Sequence, residues 1–330
     1  MKLIIQIPCY NEETTLPLTI ADLPRHIDGI DVIEYLIIND GSTDDTIEVA
    51  RRLEIHHIVN FTKNRGLARG FMAGLDAGLL LGADMIVNTD ADNQYVGEDI
   101  EKLVRPILDG QADIVIGERP IDNIEHFSKL KKRLQRFGSL VVRFASGTQV
   151  PDAPSGFRAY SRDAAMRINV VNPYTYTLET IVQAGVNRTA IKSVPIRTNP
   201  ETRESRLFKS MFGYVRRSTS IIIRSYIMYR PLKFLGTIGV AFFSLGLFIS
   251  IRFLILLFVG DVGQHVQSLI LSSLLMMLGV IIIVCGILAD TVSVNRKLLE
   301  DIQYRVKRME IEAKNKQQST TGQLFNYDLR

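Results

Sequence analysis

The sequence predicts an α/β domain with a mainly parallel sheet, followed by two transmembrane helices and a basic tail. Two observations support this prediction. Short apolar runs rich in β-branched residues alternate with helical patterns through residues 1–200, and two long apolar runs follow. Strands that alternate with helices of ten or more residues are typical of βαβ units, which place neighbouring strands parallel to one another.

Five strands are predicted, each from a short apolar run, at residues 3–7, 34–38, 57–60, 85–89 and 113–117. Helical patterns lie around residues 14–25, 44–53, 67–81, 98–109 and 129–145. In the third of these, Gly66, Gly70 and Gly74 recur every four residues. This spacing differs from the G-x-G-x-x-G pattern of dinucleotide-binding loops, and it indicates close packing of that helix on the sheet.

The charge of the chain divides at about residue 203. Residues 1–202 carry 22 basic and 27 acidic side chains (22 − 27 = −5), whereas residues 203–330 carry 17 basic and 8 acidic ones (17 − 8 = +9). A nucleic-acid-binding protein is expected to carry its basic side chains on the folded domain, so this distribution argues against nucleic acid as a partner. The high apolar content excludes a disordered chain. Two cysteines, Cys9 and Cys285, are too few for a disulfide framework or a cysteine zinc site.

Two runs are long enough to cross a bilayer, which requires about 20 apolar residues. Residues 234–258 contain one charge, Arg252, and residues 266–289 contain none. A pair of buried core helices is the alternative, but neither run has the polar stripe of such helices. Lys and Arg flank the pair and are missing from the loop between them, so both termini are expected in the cytoplasm. The N-terminal apolar stretch is too short for a signal peptide.

The predicted organisation therefore has four parts. Residues 1–202 form the α/β domain, and residues 203–233 form basic amphipathic helices at the membrane surface. An ordinary helix packed on the α/β domain is the alternative for this second part. Residues 234–290 form the membrane hairpin, and residues 291–330 form a basic cytoplasmic tail that is helical to about residue 315. Glycines in the hairpin and the basic tail leave a homo-oligomer open.

Polar segments follow the first four predicted strands. They comprise residues 8–13, 39–46, 63–66 and 90–94. Open α/β sheets bind ligands outside the carboxyl ends of their strands, where such segments meet. The sequence therefore predicts a ligand-binding edge made of these four segments.

Asp90 and Asp92 are the residues of this edge with the most specific chemistry. Two carboxylates one residue apart at a strand end can share a hard cation such as Mg²⁺ or Mn²⁺ with a phosphate ligand, and Gln94 can add a carbonyl oxygen. Two acidic residues at this spacing are common by chance, so the position after a fourth parallel strand carries the argument. Asp40 begins an Asp-Gly-Ser turn, which by itself also fits the start of a helix.

Taken together, these segments resemble family-two glycosyltransferases of GT-A fold over about residues 1–200. The matching motifs are Pro8-Cys9-Tyr10-Asn11-Glu12, Asp40-Gly41-Ser42-Thr43-Asp44, Asn64-Arg65-Gly66 and Asp90-Ala91-Asp92-Asn93-Gln94. Residues 152–158 resemble the D-x-x-S-G-F segment of the dolichol-phosphate mannose synthase group. Residues 203–206 resemble its G-E-S-K stretch, with Arg in place of Gly and of Lys. The two-span hairpin resembles bacterial polyisoprenyl-phosphate glycosyltransferases.

The resemblance implies a role for each matching residue. The nucleotide sugar would be bound by Pro8, Tyr10, Asn11, Glu12, Asp40, Asn64, Arg65, Asp90, Ala91 and Arg119. A Mg²⁺ or Mn²⁺ ion would be held by Asp90, Asp92 and Gln94. The acceptor would be bound by Ser155, Arg158, Arg203 and Arg206, and the catalytic set would be Asp152, Asp92, Arg203 and Arg206.

The implied reaction is inverting transfer of a sugar from a nucleotide sugar, with UDP as the default nucleotide, to undecaprenyl or dolichyl phosphate. A phosphate acceptor is already an oxyanion at neutral pH, so it needs neutralisation and alignment more than a general base. Asp152 is therefore expected to act as an orienting group or a weak base, and not as an essential proton acceptor. Transfer to a lipid hydroxyl, which would need a true base, is the main alternative.

Two further alternatives are weaker. A processive polysaccharide synthase would carry a Q-x-x-R-W motif and several more spans, and this chain contains no tryptophan. A membrane scaffold that senses nucleotide sugars would bind the donor without releasing nucleoside diphosphate.

Overall fold

A computed structural model describes residues 1–120, 138–143, 146–171, 175–200, 220, 223–224, 226–259, 266–321 and 327–328. The chain forms two compact units. The first contains residues 1–222 together with 301–330, and the second contains residues 223–300.

An eight-stranded sheet with the strand order β7-β5-β6-β4-β1-β2-β3-β8 forms the centre of the first unit. The strands are β1 Lys2–Cys9, β2 Val32–Asn39, β3 His57–Asn60, β4 Met85–Asn88, β5 Ile114–Glu118, β6 Arg158–Ser161, β7 Ile191–Pro195 and β8 Tyr327–Asp328. All neighbouring strands are parallel except β6, which pairs antiparallel with both β4 and β5. The five strands predicted from the sequence are confirmed.

Strand β1 shows why the sheet is central. Leu3, Ile4, Ile5 and Ile7 are almost completely inaccessible to solvent, so both faces of the strand are covered. A continuous apolar run of this kind is typical of a parallel strand with helices on both faces. Gln6 is the polar exception, and its side chain is equally buried.

The helices of this unit are α1 Leu16–Asp22, α2 Thr46–Arg52, α3 Leu67–Leu80, α4 Ile100–Leu108, α5 Arg162–Arg167 and α6 Thr177–Val186. The predicted close packing of α3 is confirmed at Gly74. A Cβ atom at this position would lie 2.3 Å from Oε1 of Gln6, so only glycine allows α3 to approach β1 this closely. The helix predicted at 129–145 falls largely outside the described residues, although residues 138–143 are helical.

Two long helices follow, α7 Pro231–Val259 and α8 Val266–Thr321. Each contains a stretch long and apolar enough to cross a membrane. Both predicted spans lie inside these helices. Helix α8 continues without a break past residue 290 and ends six residues later than the tail helix predicted from the sequence. The basic segment predicted at 203–233 lies mostly outside the described residues.

Within the second unit, glycines bring α7 and α8 into close contact. A Cβ atom at Gly279 would lie 2.7 Å from the backbone nitrogen of Phe243, and one at Gly246 would lie 2.8 Å from the carbonyl oxygen of Ser272. Ser250 donates a hydrogen bond from its hydroxyl to that of Ser272 at 3.0 Å. Small residues at such a helix contact permit the close backbone approach on which packing in a membrane depends.

The last part of α8 belongs to the first unit and docks on α3 and α5. Tyr304 donates its hydroxyl hydrogen bond to Asp163 at 2.6 Å, and the guanidinium of Arg167 lies 4.0 Å from the centre of the Tyr304 ring. Lys307 forms an ion pair with Asp76, and Ile311 is buried. This part of the predicted basic tail therefore packs against the α/β unit.

Candidate active site

The polar segments after the strands meet at one edge of the sheet because of the strand register. Cys9, at the end of β1, lies beside Asn39, at the end of β2, and Asn39 lies beside Asn60, at the end of β3. Asn39 also donates a side-chain hydrogen bond to Asn60 at 2.7 Å. On the other side, Gln6 of β1 lies beside Asn88, the last residue of β4.

The segments after β1 and β2 are held together through Asn11. Its backbone N–H donates to the hydroxyl oxygen of Ser42 at 2.9 Å, and its side-chain oxygen accepts from the backbone N–H of Thr43 at 2.8 Å. Asn11 has a φ of 56°, a left-handed conformation that asparagine tolerates better than most residues. Asn11 thus links the two segments through both its backbone and its side chain, and the backbone N–H of Glu12 adds a hydrogen bond to the hydroxyl of Thr46 at 2.8 Å.

Asp40 joins the segment after β2 to the one after β3. Its two carboxylate oxygens accept hydrogen bonds from the backbone N–H groups of Arg65 at 2.7 Å and Gly66 at 2.9 Å. Burial raises the pKa of Asp40, and these two hydrogen bonds counteract that rise. Gly41 has a φ of 69°, and a Cβ atom there would lie 2.4 Å from the backbone of Lys63. Glycine is therefore required for the two segments to touch.

Asp90 and Asp92 follow β4, and both are partly exposed at the sheet edge. One carboxylate oxygen of Asp92 accepts a hydrogen bond from the backbone N–H of Gln94 at 3.2 Å, which makes a tight turn. Asn93, within the turn, has a φ of 55°. Asn199 binds the backbone of the turn. Its N–H donates to the carbonyl of Gln94 at 2.9 Å, and its side-chain amide donates to the backbone carbonyl of Asn93 at 3.0 Å.

This turn fits a hard divalent cation. The side-chain oxygen of Asn93 is buried without a hydrogen-bond partner among the described residues, next to two carboxylates. Over those same residues, no three or more His, Cys, Asp or Glu side chains are grouped to hold a metal. A cation at this turn would thus depend on oxygen donors from the two carboxylates and from a bound ligand, which is a common arrangement for Mg²⁺ with a phosphate.

Asn88 is the centre of a buried polar network directly beneath this turn. Its side-chain amide donates to the carbonyl of Gly156 at 3.0 Å and to the hydroxyl of Tyr176 at 2.9 Å, and its oxygen accepts from Gln6 at 2.8 Å. The ring of Tyr176 stacks on that of Phe71 with the centroids 3.8 Å apart. The side-chain amide of Asn88 is thus fully hydrogen-bonded, whereas the side-chain oxygen of Gln6 is buried without a partner among the described residues.

Gly156 is held from both sides against Asp90. Its N–H donates to the hydroxyl of Tyr95 at 3.2 Å, while its carbonyl accepts from Asn88 and Tyr176. A Cβ atom at Gly156 would lie 3.0 Å from the Tyr176 hydroxyl and 3.2 Å from an oxygen of Asp90. Burial raises the pKa of the Tyr95 hydroxyl above its ordinary value.

The segment that contains Gly156 begins at Asp152, which pairs with Arg119 after β5. Nε of Arg119 donates to one oxygen of Asp152 at 2.7 Å, and an Nη donates to the other at 2.9 Å. The backbone N–H of Arg119 adds a third contact at 3.3 Å. The Asp152 side chain is fully buried, and the two-point ion pair with Arg119 neutralises its carboxylate.

Arg158 holds the same segment from below. Its side chain is completely buried, and its guanidinium donates to the carbonyls of Ser155 and Ala153, both at 2.7 Å, and to the hydroxyl of Thr180 at 2.8 Å. The hydroxyl of Ser155 is buried and has no hydrogen-bond partner within the described part of the chain. Arg158 therefore lies beneath the segment and fixes its backbone, while Ser155 retains an unused hydroxyl.

Residues 4–168 match the family model described as glycosyl transferase family 2. The chain belongs to this family. It is 30% identical over 215 residues to the UDP-N-acetylglucosamine–dolichyl-phosphate N-acetylglucosaminyltransferase of Methanococcus voltae, covering 58% of this chain and 83% of the relative. It is 31% identical over 176 residues to the undecaprenyl-phosphate mannosyltransferase of Micrococcus luteus, covering 52% of this chain and 70% of the relative.

Solved structures agree with the GT-A fold of this glycosyltransferase. Glucosyl-3-phosphoglycerate synthase from Mycobacterium tuberculosis, crystallised with Mn²⁺, UDP and its product, superposes with a TM-score of 0.53. The match covers 68% of this chain and 78% of that one at 18% identity, so it shows the fold alone. The predicted GT-A fold is confirmed.

The other residues that the sequence predicts to bind the nucleotide sugar differ in their exposure to solvent. Tyr10, Asn64 and Arg65 are exposed at the edge, and Pro8 is partly exposed. Glu12 and Ala91 are buried: Glu12 accepts from the hydroxyl of Thr15 at 2.7 Å, and the carbonyl of Ala91 accepts from Thr19 at 3.0 Å. Arg203 and Arg206 lie outside the described residues.

Sequence reasoning missed the residues beneath the site, namely Gln6, Asn88, Tyr95 and Tyr176. Two of them carried a signal, because Gln6 and Asn88 interrupt apolar strands that are otherwise suited to burial. A polar residue at a buried strand position requires a hydrogen-bond partner. Tyr95 and Tyr176 gave no comparable signal, since a tyrosine is compatible with core, surface or site.

Proposed function

We propose that this family-2 glycosyltransferase transfers a sugar from a nucleotide sugar to a polyprenyl monophosphate at a membrane. The named functions of the Methanococcus voltae and Micrococcus luteus relatives support a polyprenyl-type phosphate acceptor. Two helices long enough to cross a bilayer support access to a lipid. The Lys and Arg residues that flank the two apolar runs favour a cytoplasmic position for the α/β unit.

The single observation that carries the proposal is the contact between Asp90 and Gly156. The carboxylate that would face the donor lies against the segment that begins at Asp152 and contains Ser155. A transferase needs donor and acceptor held next to one another with their reacting atoms in line. The contact supports a single site in which donor and acceptor would bind side by side.

On the donor side, the interlocked segments of Asn11 and Asp40 would form the floor for the nucleotide. Tyr10, Asn64 and Arg65, which are exposed there, would contact the base and ribose. UDP is the favoured nucleotide. Asp90 and Asp92, with Gln94, would hold Mg²⁺ or Mn²⁺, and a bound cation would neutralise the diphosphate leaving group.

On the acceptor side, the phosphate oxygen of the lipid is the nucleophile and needs no deprotonation. Asp152 is already bound at both oxygens by Arg119, so it is suited to orient this arginine and not to accept a proton. Ser155 would donate its unused hydroxyl to the phosphate, and Arg203 and Arg206 would neutralise it. Arg158 would act by fixing the segment. In-line attack would invert the anomeric carbon.

The full-length enzyme in lipid nanodiscs should be assayed with a panel of UDP- and GDP-sugars against undecaprenyl phosphate and dolichyl phosphate. We expect release of nucleoside diphosphate, a mild-acid-labile lipid product with inverted anomeric configuration, and loss of activity with EDTA that Mg²⁺ or Mn²⁺ restores. Proton NMR of the released sugar 1-phosphate reports the configuration.

Polyprenol and diacylglycerol serve as matched acceptors that carry a hydroxyl in place of the phosphate. Turnover with either at a rate equal to that with the lipid phosphate would contradict the proposal and favour a glycolipid synthase. Donor binding without nucleotide release for every acceptor would indicate a sensor.

A further inference from the structure

The part of α8 beyond the membrane run carries an apolar stripe that faces solvent. Residues 296–312 include nine charged side chains, as expected for a helix in water. Nevertheless, six apolar residues along this stretch and just before it have exposed fractions from 52% to 68%, namely Val292, Leu298, Leu299, Ile302, Val306 and Met309. All of them except Leu298 form the stripe. A contiguous exposed apolar surface of this kind marks an interaction site.

The stripe follows a heptad repeat. Val292, Leu299 and Val306 are seven residues apart, as are Ile302 and Met309, and the two series are offset by three residues. These are the a and d positions of a coiled coil. The opposite side of the helix is the one that docks on the α/β unit through Tyr304, Lys307 and Ile311, so the docked face and the stripe do not overlap.

The composition of this part of α8 favours a protein over lipid as the cover for the stripe. The membrane run at residues 266–289 contains no charged side chain, whereas residues 296–312 contain nine. Charged side chains are costly on a helix that faces lipid, but they are usual beside the apolar a and d positions of a coiled coil. We therefore take the partner to be a protein.

We propose that the stripe is covered by the same stripe of a second copy, as a parallel two-stranded coiled coil. Two copies in one bilayer are related by an axis along the membrane normal, which makes their emerging helices parallel and in register. In that arrangement Arg305, at a g position, faces Glu310 of the partner subunit, at the following e position, and the charges are opposite. Asn295 occupies one d position, so the seam contains one polar layer.

The test uses single cysteines in the full-length protein in its membrane. The background carries Cys285→Ser, because Cys285 is exposed. Cys9 stays, since it is buried and burial raises the pKa of its thiol well above the usual value, which makes it unreactive. Val306→Cys places a thiol on the stripe. Arg308→Cys is the matched control, also exposed but about 160° around the helix.

Under mild oxidation we expect Val306→Cys to yield a disulfide-linked product of twice the chain mass of 37.2 kDa, at least about tenfold faster than Arg308→Cys. Equal rates at the two positions, or no product at Val306→Cys, would overturn the proposal. A product of any other mass would mean that a different protein covers the stripe.

A second measurement does not depend on a disulfide. Ile302→Asp combined with Val306→Asp should convert the dimeric particle in detergent to a single chain by light scattering, because each change places a charge in the apolar seam. Arg308→Asp should leave the dimer intact. Donor binding to the α/β unit serves as the folding check for all three variants, and a dimer that persists in the doubly substituted protein overturns the proposal.

Discussion

Arg119 binds both carboxylate oxygens of Asp152, at 2.7 and 2.9 Å, and that carboxylate is completely buried. The pair connects the end of β5 to the segment that lies against Asp90, so the acid that the sequence assigns to an orienting role is part of an ion pair in the fold. A two-point pair of this kind orients the arginine and neutralises the acid at the same time.

The first prediction ranks the two acids. Asp92→Ala should lower kcat by more than about 10³-fold, because it removes a ligand of the cation that neutralises the leaving group. Asp152→Asn should keep the shape of the segment, weaken one charge-assisted contact and lower kcat by about 10- to 100-fold. Initial rates with nucleotide sugar and lipid phosphate measure both. Equal losses in the two variants would mean that Asp152 acts as an essential base.

The second prediction concerns Gly156. A methyl group there meets the Tyr176 hydroxyl and both oxygens of Asp90 at 3.0–3.3 Å, so Gly156→Ala should displace Asp90. We expect weaker donor and metal binding and a loss of about 1–3 kcal/mol in stability. Gly138→Ala is the control, because nothing lies within 4 Å of its Cβ position. Isothermal titration with Mn²⁺ and the donor nucleotide measures the first effect, and unchanged affinity would disprove the displacement.

The third prediction follows from Glu34. Its carboxylate lies 2.7 Å from a ring nitrogen of His57 and 2.7 Å from Nζ of Lys2. The hydrogen bonds from His57 and Lys2 lower the pKa of Glu34 from 4.5 to about 2. Since the unfolded carboxyl titrates at 4.5, this contribution to stability is complete above pH 4.5 and is lost as the pH falls towards 2.

Glu34→Gln should therefore cost about 1 kcal/mol at pH 7, after screening by solvent, and flatten the fall in stability between pH 4.5 and 2. The free energy of unfolding as a function of pH, measured in detergent, tests this. Glu48→Gln, which removes an exposed ion pair with Arg51, should change stability by less than about 0.5 kcal/mol. An unaltered pH dependence in Glu34→Gln would contradict the assignment.

The fourth prediction concerns the hairpin. Gly279→Val should separate α7 from α8, because its side chain would collide with the backbone of Gly239 and Phe243. We expect a loss of about 1–3 kcal/mol in the stability of the second unit. Gly236→Val is the matched substitution, since the nearest atom to its Cβ position, in Leu232, is 3.9 Å away. Thermal unfolding in detergent compares them, and similar midpoints would argue against the close contact.

Much of the fold was predictable because the parallel strands are continuous apolar runs. Strands β6 and β7 were missed. Residues 158–161 of β6 form a strand only because they fit between β4 and β5, an antiparallel pairing that no local pattern reveals. The two residues of β8 pair with β3 from the far end of the chain. Such contacts depend on residues that are distant in sequence, so they carry no periodic signal.

The sequence by itself determined which segments lie at the sheet edge, because parallel strands place their carboxyl ends together. It also determined the two apolar runs. Only the tertiary structure decided that Asp152 is bound by Arg119, that Arg158 lies beneath its segment, and that Gly156 meets Asp90. The physical reason is that local composition sets which residues are polar or apolar, whereas burial and pairing decide whether a polar group meets the ligand or another part of the chain.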